Sequence, residues 1–241
     1  MHKSIAAALI AACSATAACS HDRGEDAGPV VSRAFQVGNF TAIEAAGPFN
    51  VTVRTGANPS VQAHGNQKLL EGLVVEVSGD KLVIHPEKRH GWFGHWGVTH
   101  GKADIAVTVP QLRAASLAGA GGINIDEVKG DSFEGEIAGS GDLTIASLDV
   151  QRLKVGIAGA GSVSGSGKAQ SADYDIAGSG DVNADGIVVE NLKIGIAGSG
   201  NVRAHATGAA KVDIMGSGDV EVKGGAKCSV SKMGSGDVRC S

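Results

Sequence analysis

Residues 85–102 contain the residue types best suited to chemistry. This segment holds four of the eight His residues and both Trp residues of the 241-residue chain. Imidazoles bind Zn, Cu and Ni, and the candidate ligands are His90, His95 and His100. They recur every five residues, which matches neither a helical i, i+4 pair nor one face of a strand. The spacing indicates no preformed metal site, although a loop could still gather the three rings around an ion.

The same segment carries three large aromatic side chains, Trp92, Phe93 and Trp96. Aromatic residues on loops often supply the anchors of a binding surface. We therefore favour a polar, aromatic loop that covers the core or contacts a partner, and we keep metal binding as the alternative.

Acidic and small polar residues recur directly after a glycine motif, which raises the hypothesis of a calcium site. They are Asp142, Ser162, Asp181, Asn201, Asp219 and Asp237. Calcium-binding β-roll repeats, however, place Gly-Gly-X-Gly-X-Asp every nine residues. The interpretation we favour is that these side chains accept backbone hydrogen bonds at turns.

Three further acids raise the hypothesis of a polysaccharide-active enzyme. Asp173, Asp175 and Asp213 alternate with apolar residues and are predicted to point outward together. The alternation alone explains their positions, and the chain has no Ser-His-Asp context, Gly-Lys-Ser/Thr motif or His-Glu-X-X-His motif. We expect no catalytic residues and no cofactor.

The elements that must position these side chains follow from an internal repeat. The repeat is a five-residue motif that occurs in seven copies, such as Ile176-Ala-Gly-Ser-Gly. Its first position is apolar, its second is small or Met, its third and fifth are Gly, and its fourth is Ala or Ser. The last copy has Lys232 in the apolar position. The first glycines are Gly119, Gly139, Gly159, Gly178, Gly198, Gly216 and Gly234. Their spacing of 18 to 20 residues is typical of a solenoid, in which each unit depends on its neighbours.

Apolar residues alternate on both sides of each motif, as with Ile176 before one turn and Val182 after it. Alternation is the pattern of strands, and glycine at this density would destabilise helices by about 1 kcal/mol per residue. The repeat predicts an all-β parallel β-helix with Gly-Ser-Gly corners and about seven regular coils. Lys232 fits an end coil.

The less regular opening part is predicted to contain strands near residues 51–54, 73–77, 80–85 and 105–109 and one helical turn within 66–72. These strands could form opening coils or a small capping sheet. We favour continuous coils.

The first residues have the features of an export signal, with Lys3, a short apolar run and small residues before Cys19. We expect a signal peptide at 1–18, a flexible tether at 19–34 and the β-helix domain at 35–241. Residues 16–19 are similar to a bacterial lipobox, which implies lipidation of Cys19, and Ser20 favours the outer membrane. Ordinary cleavage, giving a periplasmic or surface protein, is the alternative.

Two cysteines, Cys228 and Cys240, lie in the last coil. An exported pair is expected to oxidise, so we predict a disulfide that closes this coil, with two free thiols as the alternative. Without Lys3 of the leader, 20 basic residues stand against 25 acidic ones, a net charge of −5. This balance gives no basis for nucleic-acid binding.

Residues 40–53, Asp80-Lys-Leu-Val-Ile and Val107-Thr-Val-Pro-Gln-Leu precede the glycine repeat. Together, over about residues 35–238, they resemble the auto-transporter adhesin head, or GIN, domain family. The resemblance implies a β-helical domain of exported bacterial proteins, often lipoproteins, with an adhesion-like role and no established catalytic residues.

The leading hypothesis is a non-catalytic envelope protein that binds an envelope glycan, lipid or protein surface and is held to the membrane by a lipid anchor. A polysaccharide-active enzyme and a metal-binding protein are the alternatives. A homo-oligomer is also left open.

Overall fold

The protein is an all-β solenoid that carries one short helix. The computed structural model describes residues 28–87 and 103–241. The first elements are β1 (Val30–Phe35), β2 (Ala42–Ala46), β3 (Asn50–Thr55), β4 (Ser60–Asn66), α1 (Gln67–Glu71), β5 (Leu73–Ser78), β6 (Lys81–Pro86), β7 (Asp104–Val109), β8 (Ala114–Gly119) and β9 (Gly122–Ile125). They are followed by β10 (Val128–Gly139), β11 (Asp142–Gly159), β12 (Ser162–Gly178), β13 (Asp181–Gly198), β14 (Asn201–Gly216), β15 (Val220–Lys223), β16 (Lys227–Gly234) and β17 (Val238–Cys240).

The regular body consists of the long strands β10 to β14. Each strand pairs in parallel with the next, so equivalent residues of successive turns lie side by side. The parallel solenoid has about six turns, whereas the repeat predicted about seven. The difference arises at the ends, because the first and last glycine motifs belong to turns built from the short strands β8 with β9 and β16 with β17.

The alternate residues predicted to point inward fill the core. In the turn of β11, Leu143, Leu148 and Ile157 are each at most 2% exposed. Burial of such a side chain stabilises the fold by about 1.5 to 3 kcal/mol relative to leaving it exposed. Each turn can therefore bury its apolar side chains only by stacking in register on its neighbours.

The turn of β12 has an aromatic side chain in its core, where the turn of β11 has only aliphatic ones. Tyr174 is 1% exposed, and desolvation raises the pKa of its phenol. Four other inward positions of this turn are small, namely Gly165, Gly167, Ala169 and Ala172, where the preceding turn has Ile145, Leu148, Val150 and Leu153. Tyr174 pairs with Val155 of the preceding turn, so it is the position among these five at which β12 has the larger side chain.

The corners of the solenoid require glycine for two reasons. Gly198 has a φ of +139°, a conformation that other residues rarely adopt. A Cβ at Gly198 would also lie 2.0 Å from the carbonyl oxygen of Gly178 in the preceding turn. Stacking of the turns therefore demands glycine in addition to the turn geometry.

The N-terminal end has a spatial order that differs from the chain order. β2 lies between β6 and β8, and β3 lies between β7 and β9, all in parallel. The turn of β6 and β7 is therefore the outermost of the parallel turns. β4 and β1 extend this end as antiparallel strands beside β7, and β5 is antiparallel to β6. Both arrangements considered for the opening part occur, and α1 lies within the predicted range.

The C-terminal end is closed by a covalent bond. β16 and β17 stack on β14 and β15 and form two sides of the last turn. The predicted Cys228–Cys240 disulfide joins these two sides. Lys232, in the inward register, is exposed, and its Nζ donates a hydrogen bond to the Gly236 carbonyl oxygen at 2.6 Å. This arrangement confirms that Lys232 belongs to an end turn.

Candidate binding surfaces

The first candidate surface is the place where residues 88–102 leave the solenoid. His90, His95, His100, Trp92, Phe93 and Trp96 lie outside the described residues, as does Cys19. The ends of this segment are nevertheless placed, because β6 ends at residue 86 and β7 begins at 104. At the same corner of the adjacent turn, three residues, 47–49, join β2 to β3, whereas 17 residues separate β6 from β7. The two ends of the segment therefore lie in line with the glycine corners.

The second candidate surface is the outward side of one wall, which we call the charged face. It is formed by β2, β8, β16 and the parts of β10 to β14 that precede each glycine corner. Its outward residues form three rows along the solenoid axis, because equivalent positions stack in register.

The ion-pair row contains Ala42, Ala114, Glu134, Lys154, Asp173, Lys193, Lys211 and Ser229. The carboxylate row contains Glu44, Ser116, Glu136, Gly156, Asp175, Gly195, Asp213 and Ser231. The alanine row, next to the corners, contains Ala46, Ala118, Ala138, Ala158, Ala177, Ala197, Met215 and Met233. Two shallow grooves run along this face, one lined by the carboxylate and alanine rows and the other centred on the ion-pair row.

Neighbouring turns form ion pairs within the ion-pair row. The Lys154 Nζ lies 2.5 Å from a Glu134 carboxylate oxygen, and the Lys193 Nζ lies 3.3 Å from one of Asp173. In each pair the hydrogen bond to the carboxylate raises the pKa of the lysine. The side chains are 38 to 55% exposed, so solvent screens each pair and its net contribution to stability is small.

The three acids considered for an enzyme all lie on the charged face, as the alternation predicted. Asp173 is paired with Lys193, and Asp213 lies 3.2 Å from the Nζ of Lys211. Asp175 is in the carboxylate row, one turn away from Gly156 and from Gly195. These positions follow from the repeat, and the lysines give two of the acids a structural contact.

The acids after the glycine motif form a column of hydrogen bonds between turns. Asp181 Oδ1 accepts from the backbone N–H of Asn201 at 3.0 Å, and Asn201 Oδ1 accepts from the N–H of Asp219 at 3.3 Å. Asp219 Oδ1 in turn accepts from the N–H of Asp237 at 2.8 Å. The side chains thus bind the next turn as well as shaping the corner. In residues 28–87 and 103–241, no group of three or more His, Cys, Asp or Glu residues is placed to hold a metal ion.

A family model described as "Putative auto-transporter adhesin, head GIN domain" matches residues 39–226. The chain belongs to this family. The match begins just before β2 and ends just before β16, so it includes the regular body of β10 to β14 and leaves out β1, β16 and β17. No curated protein matches the sequence.

Solved structures share the fold of this GIN domain. A protein described as a putative adhesin from Bacteroides fragilis is 24% identical with a TM-score of 0.78, and the alignment covers 88% of this chain and 97% of that one. A "putative lipid binding protein" from Parabacteroides distasonis is 22% identical with a TM-score of 0.72 and coverages of 89% and 97%. A putative adhesin from Parabacteroides merdae is 20% identical with a TM-score of 0.64 and coverages of 89% and 97%. Within the described ranges of the GIN domain, no helix has the length and apolar character needed to cross a bilayer.

Sequence reasoning missed the charged face as a unit. The signal was present, because outward residues can be aligned by the same 18-to-20-residue period that identified the inward ones. Aligned in this way, acids alternate with glycines in the carboxylate row and acids with lysines in the ion-pair row.

Proposed function

We propose that this GIN domain is a non-catalytic binding protein of the bacterial cell envelope that attaches to a surface through residues 88–102. The placement of this segment is the observation that carries the proposal. The two ends of this segment lie at one corner of the outermost parallel turn, and 17 residues separate β6 from β7 there, against three between β2 and β3 in the adjacent turn. Rigid scaffolds that carry long connections commonly use them for binding.

The composition of the segment fits an attachment site. Trp92, Phe93 and Trp96 supply large anchors of the kind that dominate binding free energies, whereas the glycine corners offer only small side chains. The family description names an adhesin, and one relative of the same fold is named for lipid binding. A glycan, a lipid or a protein surface could each be the partner.

The route of the chain supports a membrane anchor near the same end. β1 begins at Val30, inside the predicted tether of residues 19–34, and is joined to the outermost parallel turn through its pairing with β4 and the pairing of β4 with β7. A lipidated Cys19 in the outer membrane would hold the binding segment close to that membrane. Mass spectrometry should find acylated Cys19 as the mature N-terminus, and Cys19→Ser should release the protein from membranes; an unmodified N-terminus at residue 18 would contradict the anchor.

The binding proposal is tested with the mature chain carrying Cys19→Ser. Sedimentation with lipid vesicles, envelope polysaccharide and envelope protein fractions is compared for the wild type and for Trp92→Ala/Trp96→Ala. We expect the double variant to lose binding to one of these materials at least tenfold and to keep its thermal stability. The matched control is Val188→Ala, which shortens an apolar side chain that is 41% exposed on another wall.

Four results would redirect the proposal. Loss of stability by about 3 kcal/mol or more would show that the tryptophans cover the core. Unchanged binding with unchanged stability would move the attachment site to the solenoid walls. Release of reducing ends from polysaccharide, abolished by Asp175→Asn, would support the enzyme, and zinc binding lost in His90→Ala/His95→Ala/His100→Ala would support the metal site.

A further inference from the structure

We propose that two copies of this chain pair through the charged face, wall against wall, with their solenoid axes antiparallel. This surface is defined without residues 88–102, and the inference does not depend on the function proposed above. Three rows of side chains support this proposal. In the dimer each row faces the same row of the second copy in the opposite order.

The ion-pair row is complementary to itself. Along four consecutive turns it alternates in sign through Glu134, Lys154, Asp173 and Lys193. A two-fold axis parallel to the strands and midway between Lys154 and Asp173 reverses this order in the facing copy. Lys154 then faces Asp173 of the second copy, and Glu134 faces Lys193 of the second copy. Opposite charges meet at all four contacts, which is the arrangement that favours a specific interface.

The carboxylate row is complementary in size under the same axis. Each acid faces a small residue of the second copy, in the pairs Glu44 with Ser231, Ser116 with Asp213, Glu136 with Gly195, and Gly156 with Asp175. Two of these small residues follow a lysine by two positions, since Lys154 precedes Gly156 and Lys193 precedes Gly195. A carboxylate of the second copy therefore finds both space and a nearby positive charge.

The alanine row supplies the apolar contact. Its facing pairs are Ala46 with Met233, Ala118 with Met215, Ala138 with Ala197, and Ala158 with Ala177. In a single chain Met215 is 63% exposed and Met233 is 75% exposed. Each methionine faces an alanine of the second copy, so the walls can approach while the long side chains fill the space over the short ones.

The ion-pair row favours this axis over a shift by half a turn in either direction. If the axis moves onto the turn of Lys154, this lysine faces its own copy and Glu134 faces Asp173. If it moves onto the turn of Asp173, this aspartate faces its own copy and Lys154 faces Lys193. Both shifts bring like charges together, which costs free energy.

The area is adequate for a stable dimer. The eight stacked strand segments of this wall extend over about 34 Å at the usual strand spacing, and the face is about 20 Å wide. The contact would bury roughly 700 Å² per copy, close to the roughly 800 Å² of standard interfaces.

The test uses two charge exchanges that keep the composition and the ion pairs within each chain. Asp173→Lys/Lys193→Asp and Glu134→Lys/Lys154→Glu each place like charges at all four facing contacts. Sedimentation velocity at low salt on the mature chain carrying Cys19→Ser should show the wild type at twice the mass of one chain. Each exchange variant should be monomeric, with the circular dichroism melt of the wild type. An equimolar mixture of the two variants should regain the doubled mass, because their rows are complementary to each other.

A second variant tests the size complementarity. A Cβ at Gly156 meets its nearest atom at 3.9 Å, so the monomer has room for Gly156→Glu, which would face Asp175 of the second copy. We expect this variant to be monomeric, whereas Gln170→Glu, on another wall, should stay dimeric. A monomeric wild type at several hundred micromolar, or exchange variants with the dimer mass of the wild type, would overturn the proposal. An anionic polymer bound by wild-type monomers would overturn it equally and assign the face to that polymer.

Discussion

The two ends of the solenoid bury the same column of inward side chains to different extents. Leu82 begins this column in the outermost N-terminal turn and is 0% exposed, whereas Val230 ends it in the last turn and is 46% exposed. At the N-terminal end, α1 and the antiparallel strands contribute Leu70 and Leu73 to the core. At the other end, a disulfide and Lys232 take the place of added strands.

The difference shows two ways to end a stack of strands. A solenoid needs an end that neither exposes its core nor pairs with another edge. Apolar cover meets the first need at the N-terminal end. At the C-terminal end a cross-link limits fraying and a charge in an inward register opposes edge pairing, at the cost of leaving Val230 partly exposed.

The largest expected effect comes from the same charge placed at each end of the column. Leu82→Asp should destabilise the fold by about 4 kcal/mol or more, because it removes a buried side chain and buries a carboxylate. Val230→Asp should cost within about 1 kcal/mol, because water reaches the site. Urea unfolding of the two variants at pH 7 measures both free energies. Similar losses would show that the ends are equally covered.

Removal of the disulfide should have the next largest effect, and a local one. The bond spans 12 residues of sequence, and bridges of that size stabilise by about 3 kcal/mol. Since each turn contacts only its neighbours, Cys228→Ser/Cys240→Ser should lower hydrogen-exchange protection in β16 and β17 and leave β6 and β7 as they are. Equal loss of protection at both ends would mean that the solenoid opens as one unit.

Replacement of the end charge should change association more than stability. Lys232→Ile continues the apolar ladder to the free edge, so we expect assemblies larger than a dimer that grow with concentration. The free energy of unfolding should change by no more than about 1 kcal/mol. Light scattering gives the mass, and Lys227→Ile, on the same strand but outward, serves as the control. A variant that keeps the mass of the wild type would show that Lys232 does not protect the edge.

The smallest expected effect concerns ion pairs near each end. The hydrogen bond and charge of Glu44 raise the pKa of Lys81, and those of Asp185 raise the pKa of Lys223. Because these lysine pKa values are raised on folding, the stabilisation is complete below pH 10.5, the ordinary lysine value, and is lost as pH rises through the folded value. Glu44→Gln and Asp185→Asn should each lower stability only slightly at pH 8, since solvent screens these exposed pairs, and not at all once the lysines are neutral. Urea unfolding from pH 8 to 12 tests this, and a much larger loss for Glu44→Gln would make ion pairing part of the N-terminal cover.

Many residues of the candidate surfaces could be predicted from their types, but which of them lie together could not. The aromatic and histidine content of residues 85–102 was evident, as were Asp173, Asp175 and Asp213. The pairing of β10 with β11 places Glu136 beside Gly156 of the next turn, and both belong to the carboxylate row. Contacts between neighbouring turns depend on the register in which their strands pair, and this register is a property of the stacked turns.

By itself, the sequence determined the strand class, the alternating core, the glycine corners and the pairing of Cys228 with Cys240. These features are local or periodic, so side-chain alternation and spacing are enough to derive them. Only the tertiary structure decided that β2 lies between β6 and β8 and that β3 lies between β7 and β9. These strands are irregular and distant in the chain, so their pairing depends on which apolar faces remain unburied. The same insertion makes β6 and β7 the outermost parallel turn, beside β4 and β5, and thereby places the two ends of residues 88–102 at this turn.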